Sequence, residues 1–348
     1  MKAAYFIAPG KIILKEVAKP EIKQATDAVI KIVRACVCGS DMWWYRGINQ
    51  RGSNTRVGHE AIGVVETVGS QVTKVKTGDF VVAPFTHGCG ECAACLAGFD
   101  GNCENNHASE DSENGYQAEY LRYSNANWGL VKIPGKPQDY SESQLNDLLT
   151  LSDVMATGYH AAYTAEVKPG DAVAIIGDGA VGLCAVIAAK LMGAKQIIIL
   201  SHHQERAELA VAFGATDIVS TRDKQAVLDV LTITNQAGVD AVLECVGNES
   251  SIQEAQQISR AGAIIGRVGV PQNEPSANKL FWSNIGLRGG IAAVTTHDEK
   301  HGLLTAVLNG DIHPGQVFTE AFHLDQIQAA YEAMDECRAI KSLIKITA

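Results

Sequence analysis

Four cysteines, Cys89, Cys92, Cys95 and Cys103, fall within one short stretch rich in Gly, Asn and Asp. Four thiolates at that spacing can close a tetrahedral shell around Zn²⁺ with no position left open, so the site is expected to be structural. Four unrelated thiols in a polar loop would instead be an oxidation liability. A second set is dispersed: Cys38 in CGSD (38–41), His59 in GHE (58–60) and Asp153 in LSDVMATG. One thiolate, one imidazole and one carboxylate leave a fourth position open, as a catalytic zinc requires. Spacing alone does not separate this from three side chains buried as ordinary packing.

A third group has the pattern of a phosphate-binding loop. Gly177-Asp178-Gly179-Ala180-Val181-Gly182 follows an apolar strand-like run and opens a helical pattern. Gly177 makes the turn, Gly179 lets backbone approach a pyrophosphate, Gly182 permits close helix packing, and the N–H groups at Ala180 and Val181 face the ligand. A dinucleotide site for NAD usually carries an Asp or Glu about twenty residues further on, at the end of the second strand. Here that place reads Ser201, His202, His203, Gln204, Glu205, Arg206. With no acid at the strand end, Ser201, His202, His203 and Arg206 are donors suited to a 2′-phosphate, so NADP(H) is expected over NAD(H). Glu205 reaching the ribose, with the histidines solvated, is the contrary reading. Further on, Val268-Gly269-Val270 at another strand end offers bare backbone to a nicotinamide ring, or is an ordinary parallel strand end.

The elements that must position these groups change rhythm along the chain. Up to about residue 150, short β-branched runs such as DAVIKIVRACVC, IGVVETVGS and DFVVAPF are bounded by Gly, Pro, Asn and Asp, predicting a mainly β domain. Beyond Leu151, the strand runs at 172–177, 197–200, 217–220, 240–247 and 263–269 alternate with helical stretches such as QERAELAVAFG and ESSIQEAQQISRAG. That alternation predicts a parallel sheet covered on both faces, an α/β class with a doubly wound cofactor domain. A final amphipathic helix, LDQIQAAYEAMDE, and the strand-like KSLIKIT close the chain.

With 348 residues, about two domains are expected. A hydrophobic share of 46% and a charged share of 20% exclude disorder. The net charge of −10, without a Lys/Arg run, argues against nucleic acid. The apolar stretches are too short or too broken for a secretory leader or a membrane helix, so a cytoplasmic protein is expected. In a reducing compartment nine cysteines point to metal or burial rather than disulfides. Cys36, Cys184, Cys245 and Cys337, lacking spacing partners, are expected to be buried as small apolar side chains.

Taken with the four-cysteine loop and GDGAVG, the segments CGSD (38–41), GHEAIGVV (58–65), GDFV (78–81) and LECVG (243–247) make the whole chain resemble the zinc-dependent medium-chain alcohol dehydrogenases. The resemblance implies a GroES-like catalytic domain over 1–153, a Rossmann cofactor domain over 154–298 and a return to the first domain over 299–348, with the active site in the cleft between them. It implies two zinc ions per chain, one held by Cys38, His59 and Asp153, with Glu60 as a transient ligand. Asp153 replaces a Cys found in many members and is similar to the Asp-ligated bacterial NADP-dependent secondary alcohol dehydrogenases; a carboxylate carries the same charge as a thiolate. Further roles are implied for Ser40 in taking the substrate proton, Asp41 in orienting His59, Thr157 at the nicotinamide and Lys341 at the pyrophosphate. One departure is Trp43, where some members relay the proton through a His; an indole N–H only donates, so the outer proton path is unassigned. Trp43 and Trp44 line the substrate pocket or pack their turn. The expected activity is hydride transfer between an alcohol, secondary in the first instance, or its ketone or aldehyde, and NADP(H), in a homo-oligomer. A polyol dehydrogenase using NAD(H) or NADP(H) shares nearly every motif. A non-enzymatic nucleotide-binding redox sensor would need neither Ser40 nor an open zinc shell.

Overall fold

Short β-branched runs separated by turn residues fold as strands because alternate side chains can reach a shared core while the turns carry the polar backbone to the surface. The computed structural model describes residues 1–105, 115–294, 298 and 302–346. The chain divides into one unit of Met1–Asp153 with Ala293–Ala348 and a second of Val154–Ala292. The expected end of the second domain at 298 thus lies beyond the unit's last residue.

In the first unit, β1 (Lys2–Ala8) and β2 (Lys11–Glu16) form a hairpin. The strands β3 (Ala28–Cys36), β4 (Thr55–Arg56), β5 (Ala61–Val68), β6 (Phe80–Ala83), β7 (Tyr120–Tyr123) and β8 (Val131–Ile133) follow. The short β4 completes a three-stranded sheet with β1, while β3, β5, β6 and β8 run antiparallel in a second sheet, with β7 also on β3. Ile30, Ile32, Ala35, Ala61, Val65 and Tyr331 are among the residues of its core. The β3–β5 register places Ala35 opposite Ala61, so the residues just after β3 and just before β5 leave the sheet at the same end.

In the second unit, β9 (Ala172–Ile176), β10 (Gln196–Leu200), β11 (Asp217–Val219), β12 (Val239–Glu244), β13 (Ser259–Arg267) and β14 (Gly286–Gly289) form one parallel sheet in the order β11-β10-β9-β12-β13-β14. The order reverses between β9 and β12, the switch point at which open α/β sheets take their ligands. Helices Ala180–Leu191, Gln204–Phe213, Asp223–Ile233 and Glu249–Ile258 connect the strands. Ile198, Leu200, Val242, Ile252 and Ile265 are buried in its core. One boundary differs from expectation: the helix carried in sequence as far as Gly262 stops at Ile258, and Ser259 already begins β13. Ser259 Oγ donates to the Ala255 carbonyl at 2.7 Å and so satisfies the end of the helix, while Ser259 also pairs with Val239.

The chain then returns to the first unit. β15 (Phe318–His323) pairs parallel with β16 (Lys341–Lys345), and β16 lies antiparallel against β3, with Leu343 opposite Cys36. This brings Lys341 beside the end of β3. Among the described residues no helix is long and apolar enough to cross a membrane.

Cys36 and Cys184 are buried as expected, but Cys245 is only partly buried and Cys337 is exposed. Cys337 follows the helix Ile327–Asp335 and its Glu336 cap with φ +58°, a left-handed helix-end position that turns the residue toward solvent.

Candidate active site

Cys38 stands two residues beyond β3, His59 and Glu60 immediately before β5, and Asp153 shortly after the helix Glu142–Thr150. Their donor atoms all lie within 4.8 Å of one another. His59 Nε2 is 3.3 Å from Asp153 Oδ2, and Cys38 Sγ is 3.7 Å from the same oxygen. Donors around one tetrahedral zinc stand roughly 3.3–3.8 Å apart, given bonds of about 2.0–2.3 Å. The separations are therefore those of tetrahedron edges, and Cys38, His59 and Asp153 fit the ion. Burial by itself would favour neutral His59, but the charges of Cys38 and Asp41 and the Asp153 hydrogen bond reverse this and raise its basicity well above the usual imidazole range. The pocket is one that favours a cation.

Asp41 accepts the Cys38 backbone N–H at 3.1 Å and brings Oδ1 to 3.8 Å from His59 Nδ1, on the ring edge away from Asp153. It therefore fixes the Cys38 turn as well as flanking the imidazole. Ser40 occupies the N-cap of the helix Asp41–Tyr45 without a side-chain capping bond, so capping does not consume its hydroxyl. Trp44 is core, edge-on to Phe6 with ring centroids 5.1 Å apart, whereas Trp43 is half-buried.

Lys341 lies inside the first unit, on β16 beside the end of β3. Its side chain is 1% exposed, and Nζ donates to Glu60 Oε1 at 2.6 Å and to the Val37 carbonyl at 3.2 Å. The ammonium is thus paired inside the first unit. Burial would lower its pKa, yet the acidic groups around it, Cys36, Glu60, Cys38 and Asp153, hold it well above the usual lysine range. The other Glu60 oxygen, Oε2, is buried with no hydrogen-bond partner among the described residues.

The four cysteines of the 89–103 loop also converge, their sulfurs lying within 4.8 Å of one another. Cys89 Sγ accepts N–H bonds from Glu91 and Cys92 at 3.4 Å each, and Cys103 Sγ accepts from Cys89 at 3.2 Å and Asn105 at 3.3 Å. Burial is the largest single influence on Cys89 and opposes its ionisation, but the N–H groups of Glu91 and Cys92, with the Asn105 side chain and Cys103, together outweigh it and bring the thiol down to about 6. Burial pushes Cys95 up to about 12. Four sulfurs that together accept backbone N–H groups, with Cys95 and Cys103 both held up by burial, fit a dication as the shared counter-charge. Cys95→Ser is expected to remove one equivalent of zinc by elemental analysis and to make the 89–105 loop the first point of limited proteolysis, with kcat/KM within about threefold of wild type. A loss of turnover with unchanged proteolysis would contradict the structural role.

In the second unit, Gly177 ends β9 with φ +110°, and a Cβ on Gly182 would stand 1.9 Å from the Gly177 carbonyl, so the helix Ala180–Leu191 can start this close to the strand only from glycine. A Cβ on Gly179 would meet nothing within 4 Å. Gly179 is the N-cap and has no side chain to satisfy the first N–H groups at Ala180 and Val181, leaving space and donors together as a pyrophosphate requires.

No acid ends β10, but Asp178 of the glycine motif reaches the segment that follows it. Its Oδ2 accepts from Ser201 Oγ at 2.9 Å, His202 N–H at 3.3 Å and His203 Nδ1 at 2.8 Å, while Oδ1 accepts from Arg206 Nη1 at 3.3 Å. Burial raises this carboxyl, but His203, Arg206 and Ser201 more than offset it and hold it below the usual carboxylate range. His202 turns Nδ1 to the Ser220 carbonyl at 2.9 Å. The signal was an acid inside the glycine motif itself, which a search near β10 does not find.

Thr157 is buried on the helix Val154–Thr164. At the end of β13, a Cβ on Gly269 would come within 2.3 Å of the Gly247 nitrogen, so backbone packing is itself a reason for glycine there, and Val270 is 50% exposed. Two residues beyond the expected set shape this loop: Glu244 accepts from the N–H groups of Val246 and Gly247 at 2.8 and 2.7 Å, and Arg267 donates to Glu244 at 3.0 Å and to the Gly247 carbonyl at 3.0 Å.

Comparison with known proteins follows the same division. The alcohol dehydrogenase GroES-like domain matches residues 24–135, and the zinc-binding dehydrogenase domain matches residues 180–303. The zinc-type alcohol dehydrogenase B of Aspergillus flavus is 33% identical over 99% of this chain and 81% of its own length. The sorbitol dehydrogenase of Bacillus subtilis is 31% identical over 95% of this chain and 93% of its own. The solved alcohol dehydrogenase TADH from Thermus sp. ATN1 superposes with a TM-score of 0.89 at 30% identity, covering 100% of both chains. With its strand order, its converging Cys, His and Asp side chains and these matches, the chain belongs to the zinc-dependent medium-chain alcohol dehydrogenase family and is an NAD(P)-dependent oxidoreductase of alcohols and carbonyls.

Proposed function

We propose that this chain oxidises secondary alcohols and reduces the matching ketones or aldehydes, with NADP(H) preferred over NAD(H). The observation that carries the reading is the convergence of Cys38, His59 and Asp153, with Glu60, on one point. These three residues would hold a catalytic zinc with one position open to substrate, and Cys89, Cys92, Cys95 and Cys103 a second, structural one. When bound, zinc supplies Lewis acidity toward an alcohol or carbonyl oxygen, and the nicotinamide accepts or gives the hydride. Ser40 takes the hydroxyl proton on oxidation and returns it on reduction, its Oγ being left unspent by helix capping. Asp41 keeps the His59 ring in position from its Nδ1 side. Gly177, Gly179, Ala180, Val181 and Gly182 receive the pyrophosphate. Thr157 and Val268–Val270 receive the nicotinamide half, and Ser201, His202, His203 and Arg206 the adenosine ribose with its 2′-phosphate.

The second unit offers support for a homo-oligomer: Phe281 and Trp282 are 73% and 80% exposed, next in sequence to β14 at an open edge of the parallel sheet. Nine thiols, five of them arranged for metal, suit the reducing cytoplasm.

A panel of secondary, primary and polyhydroxy alcohols, each followed by nicotinamide fluorescence with NADP⁺ and with NAD⁺, tests the reading. The highest kcat/KM is expected for a secondary alcohol with NADP⁺. The similarity to the Bacillus subtilis sorbitol dehydrogenase favours a second reading, a polyol substrate, and a polyol at the head of the panel would select it. A clear preference for NAD⁺ would remove the cofactor assignment.

A further inference from the structure

Asp178 is a 9% exposed carboxylate whose four bonds all come from one short stretch: Ser201 Oγ, the His202 N–H, His203 Nδ1 and Arg206 Nη1. Three of those donors are side chains that Proposed function assigns to a 2′-phosphate, and the inference rests on that assignment. A carboxylate and a phosphate ask the same thing of such donors: short charge-assisted bonds to oxygen. The two also repel, since the phosphate carries about −1.5 to −2 beside the carboxylate's −1.

We propose that Asp178 is a specificity-determining residue: an internal anion that occupies the donors of the 2′-phosphate site and holds down the discrimination between NADP(H) and NAD(H). The acid sits in the glycine loop, at the end of β9, rather than at the end of β10 where an NAD-selecting acid is usually sought. From there it closes the 201–206 segment onto the loop. A cofactor with a bare ribose hydroxyl leaves this arrangement intact. One with a 2′-phosphate must share or displace the bonds to Asp178 and bear its charge, and gains from Arg206 and His203 only what remains. Arg206 keeps further N–H groups for this purpose, and His203 is exposed.

The test is isothermal titration of the zinc-loaded protein with 2′,5′-ADP and with ADP, comparing wild type, Asp178→Asn and Asp178→Ser at low and high salt. Asn keeps an oxygen for Ser201 Oγ and the His202 N–H but carries no charge. The variants are expected to bind 2′,5′-ADP on the order of tenfold more tightly, with a gain that shrinks in high salt, while ADP affinity stays within about threefold. Unchanged or weaker 2′,5′-ADP binding in folded variants overturns the proposal, because Asp178 would then only organise the segment. In the wild type, histidine-labelled NMR spectra provide a measurement that needs no variant. The His203 ring signals should move on addition of 2′,5′-ADP and hold still with ADP; stationary signals at saturation with 2′,5′-ADP also overturn it. Failure of the underlying reading is visible separately, as a wild type that binds 2′,5′-ADP no better than ADP, whereas the role of Asp178 is read from the change between wild type and variant.

Discussion

Asp153→Ala is expected to lower kcat/KM by a factor on the order of 10³, about 4 kcal/mol of transition-state stabilisation, and to remove one equivalent of zinc while a second stays bound. Oδ2 of Asp153 is the atom both His59 Nε2 and Cys38 Sγ approach, at 3.3 and 3.7 Å. Removing it leaves a thiol and an imidazole, with Glu60 tied to Lys341 through Oε1, too weak a set to hold an ion against water, and removes one negative charge from the set that balances it. Even residues that merely orient metal ligands cost about 10–100-fold when lost, so a ligand should cost more. The fold should survive, because the residue leaves an anionic pocket and not the hydrophobic core: circular dichroism and the melting profile of the metal-free protein should match wild type. Asp153→Cys restores a donor of the same charge and is expected to regain zinc and part of the turnover. With Co²⁺ in place of zinc, that variant should also gain a stronger thiolate-to-metal absorption band, reporting coordination independently of activity. Zinc content of the alanine variant equal to wild type, with turnover retained, would show that Asp153 is no ligand.

The legibility of this molecule followed how local each feature is. The parallel sheet could be read because strands such as β10 are continuous apolar runs buried on both faces, between helices that end at glycines such as Gly214. The 89–103 sulfurs could be read because their geometry is built within one loop. Cys38, His59 and Asp153 are far apart in sequence, and only the β3–β5 pairing and the approach of the segment after the helix Glu142–Thr150 bring them together. Their spacing was therefore mute until the flanking motifs supplied the family. Asp178 was missed because its carboxylate serves a strand end other than the one its neighbours in sequence terminate. Glu244 and Arg267 were missed for a related reason: each caps a strand end for the other, across the β12–β13 pair. Cys337 was misjudged because exposure there is set by a helix-end backbone conformation that composition does not reveal.

Lys341 is a buried ammonium, and its replacement carries the largest expected effect on stability. Lys341→Met is expected to destabilise the first unit by about 3–5 kcal/mol, because removing one member of a buried ion pair strands the other. Lys341 and Glu60 have side-chain exposures of 1% and 0%, so water cannot take over the lost bond at Oε1, and Oε2 already has no hydrogen-bond partner among the described residues. Methionine fills most of the lysine volume, which confines the effect to charge rather than to a cavity. Urea denaturation followed by tryptophan fluorescence should register the change as a lower midpoint for the first unit, where Trp43, Trp44 and Trp128 lie, with no change of slope. The companion experiment separates charge from packing. Replacing both members, Lys341→Met with Glu60→Leu, should recover most of the loss, since an apolar pair of similar volume is often as stable as a buried ion pair. A coupling of several kcal/mol in that double-mutant cycle would identify the ammonium as the counter-ion of Glu60. A single variant as stable as wild type, or a double variant no better than the single, would mean that Lys341 is held by its other contacts, and would reopen its assignment to a ligand outside the first unit.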